Sequence, residues 1–541
     1  MNKIIRLFRF IFPQKILDVV NIIWKELRQY NSHSTVVLEA NGSPVEAIDK
    51  ISGDVKCYYT FDNITMAGRK KAGYSIEGNE NVCLPLAIVD KEGFACVDII
   101  SELSKKTISL SSFHWHYLNI DPNHIKKVES LSGELIFGDP ISLSQYGDKE
   151  CVIFILVDAL GRDFLDECGF NESMPNTAQF FQGSRTFNNT WSQGEWTLPC
   201  VASIVTGLYT PNHGVWRREI PKNKSLSDVF TIQELYKKAG YVTSSFSSVS
   251  RFSYLYGFNR GTTHFFYSRY APHSEITYQA LEHLRAFPHR SHFLYLHYMD
   301  IHHILRGVSS CASQLNTSIG DLDASKSLKL SKMSKLDQIL GNDKKVRYRT
   351  KQVLRELDFH IAPLFNYISK TFGRKNLTAI LLSDHGKVVG DNQDILSKDR
   401  CNSTLKVYSP KLKGGIDNSF VNAVDILPSV IDLSRIDDPS CDERDGIKWS
   451  ILGGKQKNLV RCEAIDPRGK YYELCLRNDQ FVFYYKTTIT ENQIDTGSGK
   501  ENLYLVKDCN ERRYNDISEN HKESFSVFKQ IKDDIINRIN L

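Results

Sequence analysis

Two apolar runs that end in acid constrain this chain more than any other feature. CVIFILV closes on Asp158, and LTAILL closes on Ser383, Asp384 and His385. A continuous β-branched run of this length reads as a strand buried on both faces, the form taken in parallel sheets. In such sheets ligands gather beyond the carboxyl ends of the strands. Asp158, Thr197, Asp384 and His385 would converge there. Three oxygen donors and one imidazole suit a divalent cation, and Thr197 can double as a nucleophile. An acid at one strand end, taken alone, caps the next helix as readily as it binds metal. The joint pattern carries the metal reading.

Composition narrows the class. At 541 residues several structural units are expected. Apolar residues at 41% and charged residues at 24% are ordinary for a globular protein. A net charge of +5 over this length is too weak to imply nucleic acid, and no zinc-finger, RRM or basic-helix pattern appears. The twelve cysteines form no C-x-x-C pairs. Cys83, Cys96, Cys151, Cys168 and Cys200 lie mostly in apolar contexts and read as reduced, buried thiols.

Residues 1–30 look at first like a signal or anchor. Arg6 and Arg9 interrupt the apolar run, Pro13 breaks it, and no small-residue cleavage site follows. No segment reaches the roughly 18 apolar residues needed to span a bilayer. Ile16, Val19, Val20, Ile23 and Trp24 recur at helical spacing beside Lys25 and Arg28. This amphipathic helix would dock on its own protein or lie on an anionic membrane surface. The expected location is cytoplasmic, peripheral to membrane in the second of these two readings.

Residues 31–148 alternate short β-type runs with turns, which suggests a small antiparallel β domain. From about Lys149 strands alternate with helical stretches, the α/β signature. SHFLYLHYMD is another apolar strand, ending at Asp300; His297 within it reads as a core residue. Val353, Leu354, Leu357, Ile361, Leu364 and Ile368 mark one helix face. A polar stretch from about Gly307 to Lys345 follows His302 and His303, and serves as a lid or as a surface insertion. Residues 149–452 form the expected catalytic domain. Residues 453–541 turn β-rich again and close on an amphipathic helix.

The landmarks from Cys151 onward resemble, in order, the sulfatase branch of the alkaline-phosphatase-like superfamily. VDALGRD resembles the first metal-binding strand end, and MPNTAQFF the helix "TPNLDRLA". TLPCVASIVTGLYTPNHGV resembles the nucleophile segment ending "ASLLTGRYPHRHGV". AGYVTSSF, YMDIHH, SDHGK and ENLYLVKDCNERRYND match the later landmarks. The resemblance implies a mixed, mostly parallel sheet sandwiched by helices, a C-terminal β subdomain, and ester hydrolysis or transfer. It does not cover the N-terminal β domain.

Aligning ASIVTG on ASLLTG puts Thr197 where sulfatases carry the cysteine that matures to formylglycine. The C-x-P-x-R maturation signal is absent: Val201 holds the arginine position, and Cys200 falls three residues late. A formylglycine hydrate releases sulfate by collapsing to the aldehyde, and a threonine cannot. Relatives with Thr at this position act on phosphoesters, so phosphate esters are the expected substrates, ahead of sulfate esters. A sulfuric ester hydrolase without formylglycine is the second reading. A non-catalytic carbohydrate- or lipid-binding relative is the third.

The resemblance also implies site roles. Asp158, Thr197, Asp384 and His385 match one metal site. The second-metal pattern fails: Asp300 with His302 and His303 has the wrong spacing, and only His521 lies beyond His385. One ion is expected, Zn²⁺ or Mn²⁺ ahead of Ca²⁺ or Mg²⁺. His302, at the histidine of "MDPH", would protonate the leaving oxygen or bind the transferred group. His303 and Lys387 would contact substrate, a phosphate or sulfate ester on a glycan, lipid head group or small metabolite. Ser247 and Ser248 stand near the family's lysine, so that contact is lost. His213 would brace the turn after the nucleophile helix.

Overall fold

The structure is a computed structural model. It describes residues 45–48, 55–90, 93–131, 134–144, 148–217, 226, 229–269, 271–301, 343–387, 396–466, 469–490, 493–510 and 515–539. The N-terminal helix, His302, His303 and residues 307–342 of the polar stretch lie outside this set. Among the described residues no helix is long and apolar enough to cross a membrane.

The chain divides into two compact units, with the boundary between Ser142 and Leu143. The first is all β among its described residues, and its strands pair antiparallel: Phe94–Ser101 with Lys105–Ser111, and Glu134–Gly138 with Val82–Val89. Alternate residues point one way along such strands. Leu84, Leu86 and Ile88 therefore share a core with Val97, Val128, Leu135 and Phe137.

The second unit is built on a mixed sheet. Its strands are β1 (Cys151–Val157), β2 (Arg185–Trp191), β3 (Val242–Ser247), β4 (His264–Tyr267), β5 (His292–Tyr298), β6 (Leu377–Leu382), β7 (Leu405–Tyr408) and β8 (Gly415–Asn422). The spatial order is β4-β3-β5-β1-β6-β7-β2-β8. Strands β4, β3, β5, β1 and β6 are parallel neighbours, whereas β7 runs antiparallel between β6 and β2. Every residue of β1, β5 and β6 is buried, as a central strand covered on both faces requires. Leu156 of β1 lies opposite both His297 of β5 and Leu382 of β6. The carboxyl ends of the three strands are thus level, and Asp158 and Asp384 emerge side by side.

Four helices matter for the site and its support: α1 (Pro175–Phe180), α2 (Thr197–Thr206), α3 (His273–Ala286) and α4 (Asp343–Phe372). Pro175 opens α1, where its missing N–H costs nothing. No side chain of α1's own N-cap serves the first turn. Asp358 of α4 does so instead. Its carboxylate accepts from the Asn176 backbone N–H (2.9 Å) and Nδ2 (2.8 Å), and from the Thr177 N–H (2.7 Å) and hydroxyl (2.6 Å). An acid at a helix N-terminus also meets the positive end of the helix dipole.

Beyond β8, strands Val460–Ile465, Tyr471–Arg477, Phe481–Thr490 and Lys500–Leu505 form a separate antiparallel sheet. The closing helix, Lys522–Ile536, buries Phe528 and Ile536 against Phe483, Tyr485 and Leu503 of that sheet. Among the described residues the cysteines are free thiols; most are buried, and Cys96 is exposed.

Candidate metal and ester-cleavage site

The turn after β1 is tight. Ala159 adopts a left-handed backbone (φ 63°), unusual for a residue with a Cβ. This conformation lets its N–H donate to Asp384 Oδ1 at 3.1 Å, while the His385 N–H donates to the same oxygen at 2.9 Å. With Oδ1 held by two backbone donors, Oδ2 of Asp384 faces the cluster. It is buried and accepts no hydrogen bond among the described residues.

His385 is oriented just as firmly. Its Nδ1–H donates to the Gly386 carbonyl at 2.7 Å, which leaves Nε2 as the electron-pair donor. Nε2 lies 3.3 Å from Asp384 Oδ2 and 3.9 Å from Asp158 Oδ1. Gly386 fits because it has no side chain: a Cβ there would fall 2.1 Å from the Asp399 carbonyl. The Gly386 N–H donates to the Arg400 carbonyl at 2.6 Å, which fastens this loop to the short helix Lys398–Cys401.

Thr197 opens α2, whose ten side chains are all buried and which ends on the left-handed Gly207. Its hydroxyl donates to Asp158 Oδ2 at 3.2 Å and stands 3.5 Å from His385 Nε2. The N-cap residue Trp196 offers no side-chain cap, so the positive helix end faces the site. Farther along, Ser203 Oγ meets His213 Nε2 at 3.2 Å, and the Val215 N–H donates to His213 Nδ1 at 3.0 Å. His213 thus ties this turn to α2.

The structure brings together Asp158, Thr197, Asp384 and His385, and it adds His297. Asp158, His297 and Asp384 each offer a donor atom, all within 4.8 Å of one another. His297 Nε2 is 3.4 Å from Asp158 Oδ2, and neither ring nitrogen makes a hydrogen bond among the described residues. The sequence pattern alone places His297 in the core. It is fully buried there, yet it points into the acid cluster. The available signal is its place near the end of β5, level with the strand that delivers Asp158. Asp300 instead accepts from His273 Nδ1 at 2.8 Å.

Burial and the neighbouring Asp158 charge push the Asp384 carboxyl above its ordinary value. Burial alone would lower the His385 imidazole, but the two carboxylates outweigh it and hold it above. Burial brings Lys387 down to about 8, partly opposed by Asp158. Glu195, two residues before Thr197, is also raised by burial although Arg400 pairs with it at 2.7 Å. Packed acids, an orphaned Asp384 oxygen and a bare imidazole are expensive without a cation. The donor set fits a divalent transition metal better than an all-oxygen ion.

The family model for sulfatases matches residues 150–436, more than half of the chain. The chain belongs to the sulfatase family. No curated protein matches it. As expected for a sulfatase-family chain, similar solved structures share the alkaline-phosphatase-like fold, with a large mixed sheet and a C-terminal β sheet. A 2-O GAG sulfatase superposes with TM-score 0.53 at 16% identity, over 72% of this chain and 92% of its own. A putative sulfatase from Bacteroides fragilis gives 0.53 at 14%, over 72% and 95%. The phosphonate monoester hydrolase of Agrobacterium radiobacter gives 0.53 at 14%, over 73% and 96%.

Proposed function

We propose that this sulfatase-family protein is a metal-dependent hydrolase or transferase that cleaves phosphate esters through Thr197. One observation carries the reading: the Thr197 hydroxyl sits at a helix N-terminus, 3.2 Å from Asp158 and 3.5 Å from His385 Nε2. Asp158, Asp384 and His385 would hold the ion, with His297 within reach as a further donor. A divalent cation there supplies the positive charge that lowers the pKa of a nearby hydroxyl.

The remaining steps belong to the chain. Asp158 Oδ2 accepts the Thr197 hydroxyl hydrogen and orients the oxygen. That oxygen attacks phosphorus in line; the Oγ1–P bond forms as the bond to the leaving oxygen breaks. His302 protonates the leaving oxygen. Lys387 offsets charge on the non-bridging oxygens. Water or an acceptor alcohol then attacks the phosphothreonine and restores the hydroxyl.

Sulfate esters are the second reading. Solved neighbours include one in complex with its substrate D-glucosamine-2-N,6-O-disulfate and one in complex with k-i-k-neocarrahexaose, which favours a glycan ester as substrate. The test is turnover of a bis-aryl phosphate and an aryl sulfate by protein loaded with Zn²⁺ or Mn²⁺, then stripped with chelator. Metal-dependent phosphodiester cleavage that Thr197→Ala abolishes supports the first reading. Sulfate cleavage alone moves the assignment to the second. No turnover of either, with no metal bound, leaves a binding protein.

A further inference from the structure

Arg251 lies in the loop that leaves the carboxyl end of β3, on the same sheet edge as Asp158 and Asp384. Its neighbour Phe252 is fully buried, stacks on Tyr295 at 4.6 Å between centroids, and packs on His297 at 5.6 Å. The Ser248 N–H donates to the His297 carbonyl at 3.4 Å. The loop is therefore fastened to the strand end that lines the acid cluster.

Arg251 is half-buried, and its guanidinium lies over two aromatic rings. It lies 6.0 Å from the ring of Trp196, the residue before Thr197, and 6.0 Å from the ring of Tyr256, whose hydroxyl it also meets. Among the described residues it pairs with no carboxylate. Arg400, also beside the site, is by contrast neutralised by Glu195. A half-buried cation that has no counter-charge among the described residues, against the ring of the residue that precedes Thr197, suits an anion that arrives with substrate. The flanking indole, also half-buried, offers a flat apolar face suited to the C–H face of a sugar ring.

We propose that Arg251 and Trp196 form a substrate subsite that binds an oxyanion other than the ester being cleaved, on a ring stacked against Trp196. The substrate class is an acidic saccharide ester carrying a carboxylate or sulfate beside the scissile group. This rests on Thr197 marking the reacting end. Arg251 is a specificity residue: it selects among esters and leaves the covalent step to Thr197.

The probes are a disaccharide with one phosphate ester and one uronate carboxylate, and the same disaccharide with the carboxylate methylated. Calorimetric titration of the full chain measures each affinity in wild type, Arg251→Gln, Arg251→Lys and Thr197→Ala. Wild type and Thr197→Ala should bind the free acid at least tenfold tighter than the methyl ester, about 1.4 kcal/mol. Arg251→Gln should erase that preference, and Arg251→Lys should keep part of it, which separates charge from folding. Equal affinity in wild type, a preference that survives Arg251→Gln, or no binding of either probe overturns the proposal. Turnover retained in Thr197→Ala would sink the nucleophile reading while leaving this binding result intact.

Discussion

The Thr197 hydroxyl lies 3.2 Å from Asp158 Oδ2, across 39 residues of chain. Nothing local dictates that contact. A buried parallel strand delivers the carboxylate, and a helix of ten buried side chains delivers the hydroxyl at its first residue. The contact matters because two other donors, His385 and His297, are fixed around the same carboxylate.

His297 should contribute to metal affinity. His297→Ala removes a donor 3.4 Å from Asp158 Oδ2 and leaves the fold's hydrogen bonds in place. Affinity for Zn²⁺, measured by competition with a chromogenic chelator, should fall by about 10- to 100-fold, whether the ring binds the ion or orients Asp158. Unchanged affinity would return His297 to the core. Protein loaded with Co²⁺ should also show an altered visible spectrum in the variant.

Gly386→Ala should disable the site. A Cβ would stand 2.1 Å from the Asp399 carbonyl and must push the loop carrying Asp384 and His385 away from its anchor. Overpacking of this kind costs about 1–3 kcal/mol. Metal and turnover should both be lost, out of proportion to a modest fall in melting temperature. Wild-type activity in this variant would show that the loop's placement is unimportant.

Asp358→Ala should destabilise the protein by about 2–4 kcal/mol, since four donors from Asn176 and Thr177 lose one buried acceptor. Chemical denaturation measures this. A change below about 0.5 kcal/mol would mean the α1 terminus finds another partner. Metal affinity should hold, because Asp358 lies outside the cluster.

Acid should weaken the fold through buried histidines. His264, His283 and His292 line up with ring centroids 5.2 and 5.5 Å apart, and burial lowers all three. For His264 and His292 the folded value is about 4, against an ordinary 6.5. The unfolded chain therefore binds more protons between those values, so stability falls as pH drops through that window and levels below it. The slope is up to about 1.4 kcal/mol per pH unit for each ring. Denaturation midpoints from pH 7 to 4 measure it, and His292→Gln should flatten the curve. A pH-independent midpoint would contradict the burial argument.

Much of this site was legible because parallel strands write it plainly. CVIFILVD and LTAILLSDH announce buried strands and name the acids at their ends, and register alone brings Asp158 beside Asp384. Thr197 was legible from the segment it opens. His297 was not, because an imidazole inside an apolar strand looks like any core residue until the neighbouring strand is set in register. Arg251 was equally silent: its chain position, three residues past Ser248, says nothing of the Trp196 ring it meets. Asp358 sits on an amphipathic helix face where its partner, the first turn of α1, lies about 180 residues away.

The most direct test is to trap the covalent intermediate. Metal-loaded protein is mixed with a phosphodiester, quenched in acid within one turnover, digested, and read by mass spectrometry. A Thr197 nucleophile predicts one substituted phosphoryl group, the phosphodiester less its leaving alcohol and so still carrying the second ester group, on the peptide containing that residue, absent from Thr197→Ala. Turnover with no adduct at Thr197, or wild-type turnover by Thr197→Ala, would contradict it.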